Sequence, residues 1–238
     1  MIRQMDGVTP TDDFLCGYLR GYQNAYGIAQ PFLQFYADEH GGQMAIMDGV
    51  ATVLWHEDVE ELQWFLSARA DVHTIRCAAT LAETLTRMGW KTQVRPVMRC
   101  ESALVHEEDT VMPSIRELYP FLACVFAEMP PFDEWYVDVS HRVRHGCCRI
   151  CAVENDGVVV ASAMTVAEWE NGAIIGAVAT HYKYRRRGYA ARCVTNLTAE
   201  LQQEGKTVYI CPKNDAAQRL YERLGFVCCD TVALLERN

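Results

Sequence analysis

Six consecutive residues, Arg185-Arg186-Arg187-Gly188-Tyr189-Ala190, have the types and order of an anion cradle. Residues 173–180 before them are apolar and strand-like, and residues 191–204 after them are helix-like. A helix that opens there leaves its first backbone N–H groups unpaired and adds the positive end of its macrodipole. Gly188 lets the backbone approach an anion closely, and small Ala190 keeps a side chain out of its way. The three guanidiniums add charge. The chemistry this suits is phosphate binding, although a solvated basic turn uses the same residues.

A second segment follows some thirty residues later, after a strand-like run at 207–211. It reads Asn214-Asp215-Ala216-Ala217-Gln218-Arg219-Leu220-Tyr221-Glu222-Arg223-Leu224-Gly225-Phe226. Together the two segments resemble the GNAT acetyltransferase superfamily. The acyl-CoA loop of that family reads Arg/Gln-x-x-Gly-x-Gly/Ala, met here by Arg185, Gly188 and Ala190. Its later helix reads Asn…Ala…Leu-Tyr-Glu-Lys-Leu-Gly-Phe. Asn214, Ala217, Leu220, Tyr221, Glu222, Leu224, Gly225 and Phe226 match, and Arg223 replaces Lys.

The resemblance covers the chain from about Ser114 onward. It implies acetyl-CoA as co-substrate, with its pyrophosphate on the N–H groups of Arg186, Arg187, Gly188, Tyr189 and Ala190, beside Arg185. Backbone groups of Val178, Ala179 and Thr180 would meet the pantetheine amides, and Asn214 would contact the arm from the other side. The implied reaction is direct attack of a neutral amine on the thioester through a tetrahedral oxyanion. A backbone N–H near Val178 would meet that oxyanion. Tyr221 is the implied acid, its phenol near pKa ~10 donating to a thiol near ~8.5. The general base stays open between Glu168, Glu170, His181 and a water relay. The acceptor pocket would involve residues 128–136, where aromatics and acids suit an amine with an apolar body.

The elements that must position these groups alternate along the C-terminal half. Residues 114–128 form a helical apolar stretch that Pro130-Pro131 stops, and a second helix follows within 132–145. Strands at 147–154 and 158–169 flank Asn155-Asp156-Gly157, a hairpin turn. Glu170-Asn171-Gly172 makes the next turn, its Asn-Gly favouring positive φ. Then come the strand before the cradle, its helix, a strand at Val208, the tyrosine helix and a last strand at 227–235. That is the GNAT order without its first strand.

In the N-terminal half, residues 44–54 read as a hairpin closed by Asp48-Gly49. Asp58, with Glu61 three residues on, opens a helix reaching Ala70. A strand at 72–78 and a helix at 81–88 ending at Gly89 follow. Leu85-Thr86-Arg87-Met88-Gly89-Trp90 echoes Tyr221-Glu222-Arg223-Leu224-Gly225-Phe226 at a constant offset. The N-terminal half therefore reads as a degenerate copy, with Leu85 where Tyr221 would stand and no arginine-glycine cradle. The fold class expected is α/β (α+β mixed sheet). A GNAT-like catalytic domain would occupy residues 111–238, and a smaller degenerate GNAT-like domain residues 1–110.

Composition limits the partners. The net charge of −9 argues against nucleic acid. Residues 181–223 carry nine Lys/Arg against four acids, +5 locally, which leaves −14 elsewhere. A basic island on an acidic chain suits a polyanionic coenzyme beside a surface that attracts cations. No apolar run is free enough of polar residues to span a bilayer, no signal peptide precedes, and the eleven cysteines read as small buried hydrophobes. The expected compartment is the cytoplasm. Cys148 and Cys151 form a C-x-x-C, but in a strand they face opposite sides, so no metal is expected. The resemblance implies an N-acetyltransferase, and the charge distribution suits a small cationic or amino-acid-like amine. The alternative is an acyl-CoA-binding sensor without turnover. Acceptor, base, the role of the first half and a homodimer stay open.

Overall fold

The computed structural model describes residues 1–11, 13–55, 57–85, 89–107 and 109–237. Within the echo noted above, Thr86, Arg87 and Met88 lie outside the described residues. The chain forms two compact units, Met1–Val97 with Cys229–Asn238, and Met98–Cys228. Residues 229–238, which the sequence places with the second half, therefore belong by contacts to the first.

The first unit contains β1 (Arg3–Gln4), α1 (Phe14–Tyr26), β2 (Leu33–Ala37), β3 (Gln43–Met47), β4 (Val50–Leu54), α2 (Val59–Ala68), β5 (Thr74–Ala78) and α3 (Ala79–Leu85). Asp48 and Gly49 both take positive φ, 46° and 77°, the left-handed pair that a tight hairpin between β3 and β4 requires. Asp58 caps α2 by accepting from the Glu61 N–H at 3.1 Å. That helix stops at Ala68, short of the Ala70 expected, because Arg69 has extended backbone. Leu62 and Leu66 of α2 and Leu85 of α3 are fully buried against Ile75 and Cys77 of β5.

The second unit contains α4 (Ile115–Val125), α5 (Phe132–Arg144), β7 (Ile150–Asn155), β8 (Val158–Trp169), β9 (Gly172–Thr180), α6 (Tyr189–Gln203), β10 (Thr207–Ile210) and α7 (Asp215–Arg223). Two longer strands, β6 (Lys91–Cys100) and β11 (Phe226–Glu236), begin in one unit and end in the other. Ser114 and Glu117 form a reciprocal capping box at the start of α4. Asp156 and Gly157 turn the β7–β8 hairpin at φ 53° and 73°. In place of a first strand, Val111 makes a single antiparallel bridge to Ala152 of β7.

Pairing follows one rule in both units. β2, β3 and β4 are successively antiparallel and β4 runs parallel to β5, while β7, β8 and β9 are antiparallel and β9 runs parallel to β10. The closing strand is exchanged. β11, which follows α7, pairs antiparallel with β5, and β6, which follows α3, pairs antiparallel with β10.

The sheet of the second unit is covered on both faces. Cys193, Val194 and Leu197 of α6 bury against Ile175 and Val208. Leu118, Leu122, Trp135 and Val139 of α4 and α5 bury against Ile150 and Met164. Each such side chain contributes on the order of 1.5–3 kcal/mol of burial, so α6 is firmly seated. Buried Asn196 on the same helix ties down the preceding segment, accepting from Glu107 N–H at 2.7 Å and donating to the Glu107 carbonyl at 2.9 Å. Among the described residues, no helix is long and apolar enough to cross a membrane.

Candidate active site

The site begins with how β9 leaves the sheet. β10 pairs with Gly172–Ile175 of β9, so, among the described residues, 176–180 have no partner strand on that side. Along its other edge the register to β8 slips, Ser162 pairing with Ala179 but Met164 with Gly176. Two residues of β9, Ala177 and Val178, thus stand opposite Ala163, a bulge that takes their peptide out of regular pairing. Ala177 carries the strain, with φ at 47°. Gly176 is required beside it, since a Cβ there would lie 2.7 Å from Val166 Cγ1. Sequence reasoning missed this bulge, because neither Ala177 nor Val178 marks it.

Gly172 corrects a second expectation. Neither Asn171 nor Gly172 adopts positive φ. Glycine is needed there because a Cβ would run into the Trp169 ring.

After Thr180 the chain makes a 3-10 turn at Tyr182–Tyr184 and reaches α6 through two left-handed residues, Arg186 at φ 63° and Gly188 at φ 82°. Gly188 is the N-cap of α6, and no side chain caps the helix. Its first N–H groups therefore point out of a concave, partly left-handed turn, which is how backbone forms an anion nest. A Cβ added at Gly188 would meet nothing within 4 Å. Arg185 and Arg187 have local duties: Arg185 Nε donates to the Thr180 carbonyl at 3.3 Å, and the Arg187 guanidinium lies 5.2 Å from the Tyr184 ring centre.

A cleft of about 670 Å³ runs from this turn to α7. Val178, Ala179, Thr180, Arg185, Arg186, Gly188, Tyr189, Ala190 and Tyr221 all border it, so most of the residues singled out in the sequence converge. Arg187 does not line it. Neither does Asn214, which caps α7 by accepting from the Ala217 N–H at 3.0 Å. Ala216, Arg219 and Arg223 of α7 line the cleft and were not anticipated as site residues.

Tyr221 sits in the last turn of α7, 4% exposed, with its ring 6.1 Å from that of Phe226. Burial, and secondarily the neighbouring Cys211, push its phenol well above the ordinary tyrosine range. It therefore holds its proton more tightly than an exposed tyrosine does, and the residue borders the cleft.

The three base candidates lie outside the cleft lining. Glu168 is not an exposed residue: it is buried, accepts from Thr165 Oγ1 at 2.7 Å, and pairs with Lys206 Nζ at 3.0 Å and Arg149 Nε at 3.3 Å. Arg149 also reaches Glu200 and Glu204, at 2.8 and 2.7 Å. Glu170 is exposed in its turn, and His181 Nδ1 accepts from the Lys183 N–H at 3.4 Å.

Nor does the 128–136 segment open onto the cleft. The Tyr119 ring lies 5.1 Å from Phe132 and 5.3 Å from Trp135, the Phe132 ring lies 5.3 Å from Tyr136, and the Arg116 guanidinium stacks 4.6 Å from Tyr136. These aromatics are engaged with one another. Cys148, just ahead of β7, packs in the cluster of Leu118 and Trp135 while Cys151 packs in that of Val153 and Cys193, so the C-x-x-C thiols diverge.

Residues 112–226 match the acetyltransferase (GNAT) family, so this part of the chain is a GNAT domain. No curated protein matches the chain significantly in sequence. Among solved structures, a GCN5-related N-acetyltransferase from Sphaerobacter thermophilus aligns with TM-score 0.62 and 15% identity, over 90% of this chain and 83% of that one. A GNAT-family acetyltransferase from Colwellia psychrerythraea aligns with TM-score 0.58 and 15% identity, over the whole of both chains. A tandem GNAT protein from the clavulanic acid biosynthesis pathway aligns with TM-score 0.54 and 14% identity, over 97% of this chain and 89% of that one. At these identities the likeness is one of fold. It extends over both halves, in keeping with a degenerate GNAT-like first half.

Proposed function

We propose that this GNAT domain is an N-acetyltransferase that moves the acetyl group of acetyl-CoA onto a primary amine of a small cationic or amino-acid-like acceptor in the cytoplasm. One juxtaposition carries the reading: the uncapped start of α6, framed by left-handed Arg186 and Gly188, opens on the same cleft that Tyr221 borders. The coenzyme fits this frame, since an open N-terminus beside Arg186 suits a pyrophosphate. The unpaired stretch of β9 offers free backbone groups to an arm lying along it as an added strand would.

In the reaction the amine nitrogen attacks the thioester carbon. The carbonyl oxygen takes up negative charge beside the backbone N–H of Val178, which stands in the bulge. When the C–S bond breaks, its electron pair goes to sulfur, and Tyr221 donates to that thiolate. Its raised pKa makes it chiefly a hydrogen-bond donor to the developing charge, with full transfer late. Because Glu168, Glu170 and His181 lie outside the cleft lining, the proton of the amine leaves through water. The excess negative charge outside residues 181–223 favours a cationic acceptor.

Titration calorimetry of the full chain with acetyl-CoA, followed by a pool of amines in the same cell, tests the proposal. The expected result is micromolar binding with amine-dependent release of free thiol. Binding without thiol release moves the weight to a sensor, and no binding removes the cradle.

A further inference from the structure

Helix α7 presents two arginines to the cleft that the reaction does not use. Arg219 and Arg223 stand one turn apart and border the same space as the start of α6, with small Ala216 completing that face. Both are exposed. The inward face of the helix is taken by Ala217, Leu220, Tyr221 and Leu224, which pack on the core, so the arginines are not there to fill it.

Like charges four residues apart destabilise a helix by a few tenths of a kcal/mol. The nearest acid in sequence, Glu222, does not offset them, since its Oε1 accepts from Gln218 Nε2 at 2.9 Å. Arg192 and Arg149, by contrast, both have carboxylate partners. Arg223, in the last turn, gains from the helix dipole. Arg219, in mid-helix, has no such reason. Two planar guanidiniums a turn apart, on the wall of a cleft, match the three oxygens of a phosphomonoester.

Resting on the acetyl-CoA reading, we infer that Arg219 and Arg223 bind the 3′-phosphate of the coenzyme, so that the site distinguishes CoA from its 3′-dephospho form. The pyrophosphate occupies the start of α6, and the one strongly charged group left on the coenzyme is that phosphomonoester. The two arginines set coenzyme specificity and take no part in acyl transfer.

Calorimetry with CoA and with 3′-dephospho-CoA, on the full chain and on Arg219→Gln/Arg223→Gln, decides it. The unaltered protein is expected to prefer CoA by about tenfold or more, and the double variant to bind both alike by losing affinity for CoA alone. A shallower salt dependence for CoA in the variant is a second expected sign. Equal, tight binding of both ligands by the unaltered protein overturns the inference and leaves the cradle standing. So does a preference that survives in the double variant. If neither ligand binds, the coenzyme reading itself falls. Both side chains are exposed, and glutamine keeps the helix, so unfolding does not confuse the result.

Discussion

Helices α2 and α6 begin at the same point of their units, after the strand that starts the parallel pair, and each N-cap residue has left-handed backbone: Asp58 at φ 44° and Gly188 at φ 82°. At α2 the cap supplies its own carboxylate to the Glu61 N–H, with Glu57, Glu60 and Glu61 around it. At α6 the cap has no side chain and arginines surround it. The strands leading in differ too. β4 pairs with β5 up to Val53, one residue from its end, while β9 runs five residues beyond its last β10 partner and bulges at Ala177. The first unit thus fills with its own atoms the places that, on the proposed reading, the second offers to the coenzyme. The two units differ there by one capping carboxylate and a shorter unpaired strand end.

The largest expected effect comes from carrying that carboxylate across. Gly188→Asp copies the start of α2, and aspartate tolerates left-handed backbone better than most residues. Acetyl-CoA affinity is expected to fall by about 100-fold, roughly 2.7 kcal/mol, with thermal stability kept. Calorimetry and a melting curve check both, and unchanged affinity would place the coenzyme elsewhere.

In the sequence echo Leu85 takes the place of Tyr221. Tyr221→Phe moves the second unit partway toward that state. Turnover is expected to drop about 100-fold with coenzyme affinity nearly intact. Equal losses in steady-state rate and in binding would make the residue structural.

Asp58→Ala tests the closed end. It should lower unfolding free energy by about 1 kcal/mol, read from urea titration, without creating a second coenzyme site. A stoichiometry of two acetyl-CoA per chain would break the comparison.

The smallest effect concerns Glu204, whose carboxyl Arg149 holds down to about 2. A depressed folded-state value means stability present above about pH 4.5 and lost as pH falls toward 2. Glu204→Gln should flatten that part of the urea midpoint against pH. Glu204 is about half exposed, so solvent screens much of the gain.

What the sequence made legible was local. Asp48-Gly49 and Asp156-Gly157 announced their hairpins because only a left-handed pair turns so tightly. Gly188 and Tyr221 were found because their neighbours form a recognisable run. The rest depended on distant partners. Glu168 read as a candidate base because the residues that engage it, Arg149 and Lys206, are 19 and 38 positions away. The Ala177 bulge has no residue type to betray it. Helix α1 went unread because Gly17 and Gly21 interrupt its apolar face, although Asp13 caps it. Arg219 borders the cleft only because α7 folds back beside the start of α6, which no local run of residues announces.

The exchanged closing strands also govern the order in which the protein can be made. Cys77 of β5 waits for Ala233, 156 residues later, and Met98 of β6 waits for Ile210. Pairings this remote form slowly. Until β11 emerges from the ribosome, β5 carries a bare edge in a unit otherwise ready to fold, and such edges recruit foreign strands. A chain nicked or stalled before residue 232 therefore advertises its own incompleteness to proteases and to aggregation, and a fragment beginning near Val111 bares β10 in the same way. Each half thus supplies, late or early in the chain, a strand that closes an edge set by distant residues.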